Sequence, residues 1–130
     1  MTNEETHQAF LETVYTVFNN PNFDIRINEI VDEKSSLDSW AFITAWNPLP
    51  KIELLEENRQ RNNKLENDIK QLGLVYMNGL GVSKDGLWSE ESFFIENISL
   101  DKAKELAVKY GQLAFVFGTK NNKATLVYNK

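Results

Sequence analysis

The sequence predicts an α+β fold: a single two-layer domain in which about three helices pack on a mixed sheet of about five or six strands. Three observations lead there. Apolar residues recur at helical spacing in three stretches, 4–19, 51–72 and 99–110. Between and after them lie short runs rich in β-branched and aromatic residues, as strands require. Helical and strand-like segments interleave over the 130 residues with no repeat, low-complexity tract or linker, so residues 1–130 read as one domain.

Residues 4–19 carry Phe10, Leu11, Val14, Val17 and Phe18 at helical spacing, and Asn19-Asn20-Pro21-Asn22 stops the helix. Phe23-Asp24-Ile25-Arg26-Ile27 alternates as a half-exposed strand, and the polar segment 29–39 is a loop. The run from about 40 to 46 is apolar on both faces, with Trp40, Phe42, Thr44 and Trp46 on one and Ala41, Ile43 and Ala45 on the other. Such a strand belongs in the middle of a covered sheet. Pro48 and Pro50 break it, and Pro50 suits the first turn of the helix that follows, about 51–72. On that helix 100° steps bring Leu55, Asn58, Asn62, Leu65, Ile69 and Leu72 onto one stripe, and Gly73 ends it.

Leu74-Val75-Tyr76-Met77 reads as a strand ended by Asn78-Gly79, and the glycines at 79, 81 and 86 make 78–87 a mobile loop. A further strand runs through Glu91–Ile95. Ser99 caps a helix with Leu100, Ala103, Leu106, Ala107 and Tyr110 on its inner stripe, closed by Gly111. Strands over 112–117 and 124–128 form a terminal hairpin.

Composition excludes several function classes. There is no cysteine, which removes disulfides, thiolate metal sites and cysteine nucleophiles. No run approaches the roughly 18 apolar residues of a membrane span. The acidic opening Met1-Thr2-Asn3-Glu4-Glu5 lacks the features of a signal peptide, so a cytoplasmic location and no membrane partner are expected. The net charge of −5 is concentrated in residues 1–40, where eight acids face Arg26 and Lys34 alone. Without a Lys/Arg cluster, nucleic acid is not an expected partner. The acidic third serves either solubility or contact with a basic protein.

Two constellations can carry chemistry. The first is Asn47, Asn58 and Asn62 with Gln112. Asn47 leaves the end of a central strand, a place favoured by ligands in open α/β sheets. Asn58 and Asn62 interrupt an apolar stripe, and buried amides need partners, since an unpaired one costs roughly 1–3 kcal/mol. Such amides either hold the strand-to-helix connection together or meet a neutral polar ligand; they are neither acids nor bases. The second constellation is Trp88 with Glu90 and Glu91. On a strand the two carboxylates point to opposite faces, so one of them joins a pocket. A glutamate beside tryptophan in apolar surroundings gains a raised pKa and can act as a general acid or base, with a solvated strand end as the alternative. His7 is the only histidine and sits in the acidic N-terminal stretch, so no metal site and no serine-histidine pair is expected.

The string Ile43-Thr44-Ala45-Trp46-Asn47-Pro48, then Asn58, Asn62 and Leu65, then Trp88-Ser89-Glu90-Glu91-Ser92-Phe93, then Tyr110-Gly111-Gln112-Leu113-Ala114, resembles the bacterial family known as domain of unknown function 3293. The resemblance spans roughly residues 12–128, and the motifs are specific only in combination. It implies a small stand-alone cytoplasmic domain with no assigned activity and no cofactor. The chain departs from the pattern at Leu49-Pro50-Lys51-Ile52-Glu53, where a more polar lead into the helix is expected.

The leading expectation is a binding domain for a small polar molecule or a peptide, with a cleft of Trp46, Asn47, Asn58, Asn62, Trp88, Glu90 and Gln112. The alternatives are a hydrolase or transferase with Glu90 as general base, and a protein-interaction module working through the acidic N-terminal third.

Overall fold

A computed structural model of the protein describes residues 2–34, 36–47 and 52–129. Its helices are α1 (Asn3–Glu12), α2 (Leu55–Gln71) and α3 (Leu100–Lys109), and its strands are β1 (Val14–Val17), β2 (Phe23–Ile25), β3 (Ser39–Ile43), β4 (Tyr76–Val82), β5 (Ser89–Glu96), β6 (Ala114–Thr119) and β7 (Thr125–Tyr128). The seven strands form one sheet in the order β2-β1-β4-β5-β3-β6-β7. The α+β class holds, with seven strands where five or six were expected.

Every strand pairing is antiparallel, so the expected mixed sheet is corrected. The reason lies in the crossovers. β3 and β4 flank the helix α2 and run in the same direction, yet β5 lies between them and pairs with both. β5 and β6 likewise flank α3 and are separated by β3. Each strand–helix–strand unit is split by an inserted strand, which converts a parallel relation into two antiparallel ones.

The sheet curls until its edges approach. Asn28 N donates to Ala124 O and Ala124 N to Glu29 O, both at 2.8 Å, which laces the chain after β2 to the chain before β7. The concave face encloses one core, with Tyr15, Val17, Phe23, Ile25, Trp40, Phe42, Phe94 and Val116 in contact. The convex face carries a second core, in which Ile43, Phe93, Ile95 and Phe115 pack against Leu65 and Ile69 of α2 and Leu106 and Ala107 of α3. A curled sheet with both faces filled accounts for the near-continuous apolar run in β3. Two glycines admit the curl: a Cβ at Gly118 would lie 2.2 Å from Trp40, and one at Gly79 2.6 Å from Phe42.

Four sequence expectations change. The helix expected over 4–19 ends at Glu12, and Val14–Val17 is β1. The β-branched and aromatic run Thr13–Val17 favours strand, and its period of two buries Tyr15 and Val17 on the concave face. The strand placed at 40–46 ends at Ile43, and the helix placed at 51–72 starts at Leu55 with Leu54 as its cap. Pro48, Pro50 and Lys51, on which the strand break and helix start were placed, lie outside the described residues. The mobile loop expected over 78–87 is mostly strand, because β4 continues to Val82 through Asn78-Gly79 and Gly81. The remaining turn is held by Ser83 Oγ donating to Asp85 at 2.7 Å and Trp88 N donating to Ser83 Oγ at 3.0 Å. The terminal hairpin forms as expected, although β6 begins at Ala114 and leaves Gln112 just ahead of it. No helix is long and apolar enough to cross a membrane among the described residues.

Candidate functional site

Asn47 is the hub of the site. It follows the end of β3 at φ 42°, a left-handed conformation that asparagine tolerates better than most residues. Its backbone N–H donates to Asn58 Oδ1 at 2.8 Å. Its Oδ1 accepts from Glu53 N and from Asn58 Nδ2, each at 2.9 Å, and its Nδ2 donates to Glu90 Oε2 at 3.3 Å. One turn along α2, Asn62 Oδ1 accepts from Ala45 N at 2.8 Å and Asn62 Nδ2 donates to Glu91 O at 2.7 Å. Thr44 Oγ1 donates to the same carbonyl at 2.6 Å and accepts from Trp46 N at 3.0 Å. Gln112 Nε2 donates to Trp46 O at 3.0 Å.

These bonds explain two amides on an apolar stripe. β3 leaves its ladder at Ile43, and the buried backbone groups of residues 45–47 still need partners. Asn58 and Asn62, both buried, supply them from α2. Each amide oxygen and nitrogen of the pair has a protein partner, including Arg61 Nη2, which donates to Asn58 Oδ1 at 2.7 Å. An Asn58→Ala variant strands the buried Asn47 N–H, and a loss on the order of 2 kcal/mol is expected in urea unfolding. An unchanged midpoint and slope would refute the structural role.

Glu90 reaches the same point from β5. It stands in register with Gly81 of β4, which pairs onward with Tyr15 of β1. All three belong to the concave face, as Phe94 does four residues after Glu90. Gly81 leaves open the space beside the Tyr15 ring, where a Cβ would lie 3.6 Å away. Burial raises the Glu90 carboxyl to about 7, although hydrogen bonding from Asn47 and Trp88 pulls it down. Burial also raises the Tyr15 hydroxyl, with a smaller push from the Glu90 charge, and that hydroxyl donates to Phe10 O of α1 at 3.1 Å. Glu91 points the other way, as strand alternation requires, and pairs in the open with Arg59 at 3.4 Å.

The structure therefore brings all seven sequence-named residues into one neighbourhood, with different exposures. Asn47, Asn58, Asn62 and Trp46 are buried, while Trp88 remains 45% exposed. Trp40 is core as well, at 2%. Two residues escaped the sequence reading. Tyr15 lies in a stretch whose Val14 and Val17 also satisfy helical spacing. Arg61, whose Nε donates to Ala45 O at 3.2 Å, lies off the apolar stripe of α2 and has no local signal. Open grooves of about 620 and 840 Å³ lie elsewhere, beside Leu100 and Thr125 and beside Lys104 and Asn129, and include none of the seven. Among the described residues no group of three or more acidic or histidine side chains could hold a metal ion. His7, exposed on α1, lies with Nδ1 2.5 Å from the Tyr128 hydroxyl.

Comparison with known proteins gives one match. A family model described as a protein of unknown function, DUF3293, matches residues 43–115. The matched segment is narrower than the 12–128 span of the sequence resemblance, and it contains all seven sequence-named residues. No curated protein and no solved structure matches the chain.

Proposed function

The chain belongs to the DUF3293 family, and on that footing we propose that it is a binding domain whose ligand, a small polar molecule or a peptide segment, docks where Asn47, Trp88 and Glu90 meet. One observation carries this reading. Glu90 is an inward-facing carboxyl with a pKa of about 7, and its side-chain partners are the neutral groups Asn47 and Trp88. Carboxyls shifted that far concentrate at functional sites, because a group serving stability alone gains nothing from burial without a counter-charge. Trp88 beside it offers an aromatic surface, and Leu87 next in the chain is 87% exposed. In this reading Trp88, Glu90 and the Asn47 amide touch the ligand. Asn58, Asn62, Gln112 and Trp46 hold them in place.

The test is a thermal-shift screen of metabolites, nucleotides and short peptides against the parent and Trp88→Ala. A ligand stabilises the folded state by mass action, by about 2.7 kcal/mol at a hundredfold excess over Kd, and so raises the melting temperature. The expected result is a shift lost in Trp88→Ala, whose exposed position leaves the fold intact. A shift that survives this variant places the ligand elsewhere and overturns the reading.

A second reading, hydrolase or transferase, is favoured by the same carboxyl, since a general base works best with a pKa near the operating pH. Glu90→Gln separates the two: an enzyme keeps ligand binding and loses turnover.

A further inference from the structure

We propose that Glu90, beside the half-exposed Trp88 ring, takes a primary ammonium group carried on an apolar stem. The inference rests on the binding reading above and names the chemistry of its ligand. Four observations lead to it. First, Glu90 forms no ion pair with a described residue, and Arg59 and Arg61 of α2 and Lys84 of the turn before β5 bond other groups. Arg59 pairs with Glu91, Arg61 bonds Asn58 and the Ala45 carbonyl, and Lys84 pairs with Glu12 at 3.1 Å. A carboxylate drawn out of water without a counter-charge is destabilised, and an incoming cation relieves that cost.

Second, the Trp88 ring beside the carboxyl is half exposed, which leaves an aromatic face for a cation held at Glu90. Third, exposed apolar residues flank the site in the chain on two segments. Glu53 N is bonded to Asn47 Oδ1, and its chain neighbours Ile52 and Leu54 are 75% and 71% exposed. Leu87 and Trp88 stand three and two residues before Glu90 in the chain, and both are exposed. These exposed groups are available to cover an apolar stem. Fourth, Asn47 already occupies Glu90 Oε2. A guanidinium fork uses both carboxylate oxygens in one plane, whereas an ammonium is a compact charge with rotatable donors and needs one.

An ammonium on an apolar stem exists both as a free amine and as a lysine side chain, and the experiment separates these sources. The probes are benzylamine, Nα-acetyl-lysine N-methylamide and, as neutral control, benzyl alcohol, titrated at pH 8 while the Trp88 indole N–H resonance is followed. Both amines are expected to move it saturably, with benzyl alcohol at least tenfold weaker. Glu90→Gln should bring benzylamine down to the affinity of the alcohol. Tighter binding of benzylamine assigns a free amine, and tighter binding of the lysine amide assigns a peptide. Equal binding of benzyl alcohol and benzylamine overturns the inference and leaves the cleft reading standing. No movement with any probe overturns it too, and the broader screen with Trp88→Ala then decides the cleft by itself. A further check uses Trp88→Leu, titrated while the backbone amide resonances of Gly81 and Glu90 are followed: loss of the aromatic face should weaken benzylamine several-fold, and unaltered affinity overturns the part of the inference that rests on the ring.

Discussion

Glu90→Gln is expected to make the protein more stable above pH 7 and to leave it nearly unchanged near pH 4.5. The folded-state pKa of Glu90 is raised to about 7 from an ordinary 4.5, so the folded state binds its proton more tightly than the unfolded chain. The stability this group contributes is fully present below 4.5 and is lost as pH rises through 7. A difference of that size corresponds to roughly 3 kcal/mol at full ionisation, at 1.36 kcal/mol per unit. Glutamine mimics the neutral acid and carries no charge to desolvate, so the variant escapes the loss. Urea unfolding of both proteins at pH 4.5, 6, 7 and 8 checks this, because carboxylates elsewhere, such as Asp68 beside Lys109 and Tyr110, cancel in the difference. The gap between variant and parent should open progressively across that window. A gap independent of pH would mean that Glu90 titrates as an ordinary surface carboxyl, and both functional readings would lose their support.

Gly118→Ala is expected to cost at least about 3 kcal/mol, at the upper end of overpacking penalties. Gly118 faces the concave core opposite Trp40, and an added Cβ would lie 2.2–2.4 Å from three atoms of the indole ring. The ring cannot retreat. Trp40 is 2% exposed and packs at 5.3 Å against Phe94, which in turn meets Phe23 edge-on at 5.6 Å. Relief must come from opening the curl of the sheet between β3 and β6. A double-mutant cycle with Trp40→Leu tests the cause: in the leucine background the added methyl should cost far less, giving a coupling of more than 1 kcal/mol. Additive effects would show that the strain lies in the backbone of β6 and not in the ring contact.

The convex side of the fold was the more legible from sequence. The α2 stripe with Asn58 and Asn62, the Ser99-capped α3 and the terminal hairpin all rest on local periodicity and on caps, which act within a few residues. Alternation along β5 likewise separates Glu90 from Glu91. The first element was misread because Val14 and Val17 satisfy helical spacing and strand alternation at once. Only pairing with β2 and β4 shows that Tyr15 and Val17 turn to one face. The glycines of β4 mislead for a related reason: glycine signals a loop locally, and here Gly79 makes room for Phe42 across the sheet.

The sequence by itself determined the α+β class and the demand that buried asparagines find partners, because these follow from side-chain chemistry and short-range spacing. Tertiary structure alone decided which partners they find and how each strand is inserted between others. It also decided that Glu90 faces the concave side of the sheet with the neutral groups Asn47 and Trp88 as its side-chain partners. Those outcomes depend on segments far apart in the chain, such as Asn47 with Glu90 and Tyr15 with Gly81, and no local pattern encodes the desolvation that their meeting produces.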